Sequence, residues 1–285
     1  MTKMILVLDE SGAKGYAKTR EKHEGEVGVI AGFLYTEPEI RTIESSLSKI
    51  LESFSFDINK KLHITDLEKS QQQLLRENFF LFIKNTKMQW IFQAQYSKGF
   101  YQSEFADDRG GSKNAKESLH ATLFQGVLIQ ALGMAHSIGI RNLNLEIKTD
   151  PVDKTTLKKF TQAANYISNI FLRRENFYFR YADPNNSGKF VKEHYSTTIK
   201  SDSLTKFDEI QLVITIEDSP LTILADVLAN SVRYYLEKSQ KNNPNIFLNN
   251  KAAIIDHPLV DLAFAPTDAE HVLPVQDIIY RRTTD

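Results

Sequence analysis

The stretch at residues 4–12, Met-Ile-Leu-Val-Leu-Asp-Glu-Ser-Gly, constrains the fold more than any other part of the chain. A short, unbroken apolar run reads as a strand buried on both faces, at the middle of a sheet. Ser11 and Gly12 then read as the turn that ends it. Asp9 therefore sits where a buried strand emerges, on rigid backbone and partly shielded from water. A carboxylate in that position must be hydrogen-bonded, paired or bound to metal, because leaving it bare in a low dielectric is costly. The competing reading is that Asp9 only caps the turn that follows.

The hydropathy pattern after this strand predicts an ordered series of elements. Residues 13–26 are rich in Lys, Glu and Gly and read as a loop, and residues 27–35 (VGVIAGFLY) read as a second strand, the hairpin partner of the first. Glu37, Pro38 and Glu39 open a helix with acids in its first turn, where the helix dipole favours them. Its apolar positions Ile40, Ile43, Leu47, Ile50, Leu51 and Phe54 keep the helical period. A short segment at 62–67 leads to a second helix over 70–87, and residues 88–96 (MQWIFQAQY) alternate as a half-buried strand does. Residues 98–116 read as a long polar loop and 117–137 as a helix. Leu143, Leu145 and Ile147 alternate with polar residues in a strand that runs out at Asp150 and Pro151. A helix over 154–173 with a basic flank, a strand over 177–181 and an unpatterned polar stretch over 183–206 follow. A strand over 210–216 and an amphipathic helix from Leu221 to Leu236 close the series. Hairpin strands first, then alternating helix and strand, give an α/β fold on one mixed sheet flanked by helices. Residues 1–240 are expected to form that domain with helical insertions, and 241–285 an extension packed on it.

Composition narrows the function classes. A chain of 285 residues can bury a sizeable core, and a net charge of -1 exerts no global pull toward nucleic acid or acidic membranes. An enzyme that holds phosphates through metal ions and a local basic patch needs no large positive charge. The absence of cysteine excludes disulfides, thiolate metal sites and cysteine nucleophiles. The N-terminal apolar run is too short for a secretory signal, and no stretch has bilayer-spanning length, so a cytoplasmic protein without a membrane partner is expected.

Three acids share one placement: Asp9 ends the first strand, Asp150 ends the strand over 143–149, and Asp226 lies in the second turn of the last helix. Carboxylate clusters of this sort bind Mg²⁺ or Mn²⁺, which prefer hard oxygen ligands. Two such ions about 4 Å apart can activate a water and stabilise the leaving oxygen of a phosphodiester. Asn230 and Arg233 share the helical face of Asp226, and an arginine there suits a phosphate. The competing reading makes Asp226, Asn230, Arg233 and Glu237 the solvated stripe of an amphipathic helix. Glu10 and Glu146 are further candidate ligands, although an ion pair with Lys148 on the strand surface is the ordinary account of Glu146. His63 with Asp66 is a candidate general base or supporting pair, and equally a structural histidine. Lys154, Lys158, Lys159, Arg173 and Arg174 form a basic helix flank, whose default is a solvated face. Gly110-Gly111-Ser112-Lys113 lacks the spacing of a phosphate-binding loop.

The opening Leu8-Asp9-Glu10-Ser11-Gly12 and the late Leu224-Ala225-Asp226-Val227-Leu228-Ala229 resemble the two signature motifs of the bacterial domain-of-unknown-function 3800 family. The similarity spans about residues 4–238. It implies an RNase H-like fold and a metal site formed by Asp9, Asp150 and Asp226, and Asp218-Ser219 resembles the acid-serine step before the family's last helix. Two departures stand out: Ile223 replaces the usual glutamine before Leu-Ala-Asp, and Pro151 follows the middle acid. The lost glutamine removes a polar contact near the site without removing a ligand.

The expectation is a metal-dependent nuclease hydrolysing phosphodiesters of RNA or DNA. Asp9 would bridge the ions, with Asp150, Asp226, Glu10 and Asp218 as the remaining metal ligands. Ser11, His63, Asn230 and Arg233 would contact substrate. The alternative is a non-catalytic RNase H-like module that binds nucleic acid, a protein partner or copies of itself, within a bacterial defence or mobile-element system.

Overall fold

The computed structural model describes residues 1–13, 24–54, 63–102, 115–172, 177–183, 186, 189–195, 206–243 and 246–264. Strand β1 (Thr2–Gly12) is the centre on which the other strands assemble. It pairs antiparallel with β2 (Val27–Thr36), which pairs antiparallel with β3 (Ile91–Tyr96). On its other side β1 pairs in parallel with β4 (Asn142–Thr149). Strands β5 (Phe177–Ala182) and β6 (Phe190–Tyr195) form a separate antiparallel ribbon, and β7 (Glu209–Ile216) returns to pair in parallel with β4. The order β3-β2-β1-β4-β7, with only β2 running against the rest, is an α/β arrangement of the RNase H-like type.

Alternation along β1 sorts its side chains between two cores. Ile5 and Val7 face one side, and Met4, Leu6 and Leu8 the other. The first side is covered by α1 (Glu37–Glu52), α2 (Lys69–Thr86) and the last long helix, through residues such as Leu47, Phe79 and Leu224. The short helix α3 (Ser97–Gln102) continues from β3. The second side is covered by α4 (Ala115–Ser137) and α5 (Lys154–Phe171), through Leu123, Leu128 and Phe160. The last long helix is α6 (Pro220–Asn242). Local chemistry starts these helices where the sequence places them. Thr36 N–H donates to Glu39 Oε2 at 2.9 Å at the head of α1, and Asp153 accepts from Thr155 N at 2.8 Å at the head of α5. Gly32 lets β2 approach β1, since a Cβ there would overlap the Val7 carbonyl oxygen.

The expected mixed α/β sheet is present, with corrections in detail. β3 is buried along its whole length, not half-buried. Gln93 on it is satisfied internally by Gln130 Nε2 at 3.1 Å, and the same amide reaches Phe92 O at 2.8 Å. The expected loop over 98–116 begins as helix α3, and the unpatterned stretch over 183–206 contains β6. The strand over 177–181 pairs with β6 rather than joining the main sheet. Gly110 to Lys113, Arg173 and Arg174 lie outside the described residues. Within the expected extension, Leu248, Ile254 and Leu259 join the core beside Trp90, whose Nε1 donates to Leu259 O at 3.0 Å. Asn249 Oδ1 accepts from Ala94 N at 2.7 Å, and Ala263 bridges to Trp90, so this segment lies against the β3 edge of the sheet. Residues 265–285 lie outside the described residues. No described helix is long and apolar enough to cross a membrane.

Candidate functional site

The parallel pairing of β1 and β4 ends at Leu8 opposite Thr149. Asp9 and Asp150 stand one position further on, where that pairing stops. Against expectation Asp9 does not end its strand, because β1 continues to Gly12 paired with β2, and Ser11-Gly12 is not a turn. Alternation places Asp9 on the face of Ile5 and Val7, the face that α6 covers. Helix α6 brings in Asp226, whose Oδ2 accepts from Ile64 N at 2.8 Å. Ile64 opens a single helical turn (Ile64–Asp66) that His63 precedes. Three acids from widely separated parts of the chain thus reach one edge of the sheet. All are buried: Asp9 is 5% exposed, Asp226 8% and Asp150 9%.

Their electrostatics bind them into one group. Burial holds the Asp9 carboxyl well above the usual carboxylate range, and the charges of Glu10, Asp226 and Asp150 push it further. The Glu10 N–H, donating to Asp9 Oδ1 at 2.8 Å, opposes the shift. Asp226 is also raised, first by burial, with the Ile64 N–H and His63 opposing and Asp150 and Glu10 adding. Like-charged carboxylates withdrawn from water and pressing on one another are what a hard divalent cation would relieve, and oxygen donors are the right chemistry for Mg²⁺ or Mn²⁺. Among the described residues no three His, Asp or Glu side chains already stand as a ready-made cation cage. The acids are electrostatic neighbours.

The remaining candidates fall around this cluster. Glu10 and Ser11 are half-buried on β1, with Ser11 opposite Val29. His63 lies near enough to act on Asp226. Asp218 is exposed on the connection into α6 and is absent from the charges that chiefly perturb Asp9 and Asp226. The stripe reading of α6 fails at Asp226, which is buried and hydrogen-bonded. Further along, Asn230 Oδ1 accepts from Arg76 Nη2 at 3.2 Å, and Arg233 Nε lies 3.8 Å from Glu237 Oε1. Arg233 packs against Gly12, where φ is +84° and a Cβ would stand 2.8 Å from Arg233 Cδ. The glycine after Ser11, still paired with Gly28 at the end of β1, therefore accommodates a positive φ and admits the arginine. Glu146 does not pair with Lys148: it meets Lys3 at 3.5 Å, while Lys148 meets Glu217 at 2.5 Å. Lys154, Lys158 and Lys159 lie on α5, on the opposite side of the sheet from α6.

Sequence reasoning missed Ile64 and Arg76. Both act on α6 through contacts spanning more than 150 positions, which leave no periodic trace. No family model matches the chain, and no curated protein matches it. Fold and site together define its class: an α/β protein of RNase H-like arrangement with an acidic cluster where its central parallel strands end.

Proposed function

We propose that the chain is a metal-dependent phosphodiesterase acting on RNA or DNA, as its resemblance to the domain-of-unknown-function 3800 family implies. The observation that carries this reading is the convergence of Asp9, Asp150 and Asp226, buried and mutually repelling, at one edge of the sheet. Asp9, on the central strand and acted on by both other acids, would be a ligand of the cation together with them. Bound Mg²⁺ or Mn²⁺ would supply an activated water and neutralise charge on the leaving oxygen. The Ile64 N–H fixes the orientation of Asp226, and the adjacent His63 favours its ionised form. Burial limits water at the cluster and strengthens the hold of its oxygens on a cation.

Replacing Asp9 by Asn keeps size and the hydrogen bond from Glu10 N but removes the charge. Cleavage of labelled RNA and DNA in Mn²⁺ is expected to fall by roughly 100-fold or more, since changes merely outside a ligand shell already cost 10–100-fold. Cleavage by the Asn variant at the wild-type rate refutes the reading. Calorimetric titration with Mn²⁺ gives an independent check: no binding at millimolar metal returns the chain to the alternative of a non-catalytic module.

A further inference from the structure

We infer that Arg76 and Arg233 form a two-guanidinium seat, set beside the carboxylate cluster, for the phosphate next to the one being cut. This rests on the phosphodiesterase reading and adds to it a substrate class: a nucleic-acid strand with at least two successive phosphates, not a mononucleotide ester.

Position is the first argument. Asp226, Asn230 and Arg233 share one face of α6, and a rise of 1.5 Å per residue sets Asn230 about 6 Å and Arg233 about 10.5 Å along the axis from Asp226. The residues that begin and end the run from Ile64 to Arg76 meet the same helix. Ile64 N–H grips Asp226, and the Arg76 guanidinium grips Asn230. Arg76 therefore stands one helical turn beyond the acids, and Arg233 stands beside the glycine that ends the Asp9 strand. Both thus meet α6 or β1 within about two helical turns of Asp226.

Charge accounting is the second argument. The Nε groups of Arg76 and Arg233 are buried without a hydrogen-bond partner. Arg233 faces Glu237 at 3.8 Å, too far for a hydrogen bond. Arg76 is held by a neutral amide, and among the described residues it makes no ion pair. A guanidinium oriented by an amide and left without an anion suits a phosphate bound through its fork of N–H donors. A purely structural link between α2 and α6 would need only the hydrogen bond to Asn230, not the charge.

The test is strand binding across a salt series, in the Asp9→Asn background with chelator present, so that nothing is cut and the anionic cluster is partly neutralised. The probe is a fluorescently labelled single strand of about a dozen nucleotides, read by polarisation. Arg76→Gln and Arg233→Gln are each expected to weaken binding about 5–10-fold. Each should also flatten the slope of log affinity against log salt by about 0.7, the loss of one phosphate contact. Arg76→Lys, which keeps a charge, should retain most of the slope. A slope unmoved by both glutamine variants, or no strand binding by the parent, overturns the seat. Should Arg76→Gln fail to fold, Arg233→Gln and Arg76→Lys decide. Slopes that move as expected while the wild-type chain cuts nothing in Mn²⁺ would sink the phosphodiesterase and keep the seat. Asp9-dependent cleavage with unmoved slopes would do the reverse.

Discussion

Asp9→Asn should make the metal-free protein more stable at neutral pH, although it removes the residue on which activity is proposed to depend. In the folded chain the Asp9 carboxyl holds its proton to a pH well above the unfolded value of 3.8, chiefly because it is buried. Between those two values the folded state binds more protons than the unfolded state. Stability therefore falls as pH rises through that window and stays reduced above it. Each unit of the shift costs about 1.4 kcal/mol at pH 7. Asparagine keeps the shape and the Oδ1 that accepts from Glu10 N, and it carries no charge. The expected gain is of the order of 1–2 kcal/mol, as for other relieved functional sites. At about 2–4 °C per kcal/mol it is visible in a thermal melt. Urea titrations followed by circular dichroism at pH 7 and pH 4, with chelator, measure it directly, and the difference should shrink at pH 4, where wild-type Asp9 is protonated. With Mn²⁺ at 100 times its Kd, the wild type should gain about 2.7 kcal/mol that the variant lacks. An Asn variant less stable than wild type at pH 7 without metal would refute the electrostatic account of the cluster.

Other outcomes follow from the same coordinates. His257 is buried and neutral, its pKa pushed from 6.5 down to about 3 by burial and by Arg76 and Lys84. Its Nδ1 accepts from Leu259 N at 3.0 Å, so Nε2 carries the proton toward Ser231 Oγ at 2.9 Å. Below pH 6.5 the unfolded chain binds the extra proton, so acid removes stability at up to about 1.4 kcal/mol per unit of pH from this residue. Nitrogen NMR should find its ring in one neutral tautomer from pH 8 to pH 5, and a titration near 6.5 would contradict the structure. Gly32→Ala should cost about 3 kcal/mol or more in a urea melt, because its Cβ meets backbone on β1. Gly133→Ala, mid-helix in α4 with open space around the new methyl, should instead gain about 0.5–1 kcal/mol.

Much of the framework was legible because burial and period coincide. β1 reads as central from its apolar run alone, and α1, α4, α5 and α6 keep their apolar positions on one side or bury them all. β6, Phe-Val-Lys-Glu-His-Tyr, gives no such signal, since its pairing with β5 is outside the main sheet. Gln93 and Gln130 look like surface residues in a list and are buried because they satisfy each other. Asp9 lies within β1 rather than at its end, while Asp150 was legible as a strand end and Asp226 as a residue of the last helix. Whether Asp226 belonged to a solvated stripe was not, because its burial comes from a turn 162 positions earlier. Arg76 was invisible for the same reason: nothing local on α2 says that its partner is on α6.

The central strand is made first, yet two of the three acids depend on chain that comes much later. Asp9 emerges from the ribosome long before residue 150, and Asp226 later still. A partly synthesised or truncated chain can form the β1–β2 hairpin and still lack the cluster. The acidic cluster comes into being only when α6 docks against the sheet. The three acids therefore form one group only after the chain has been made through α6.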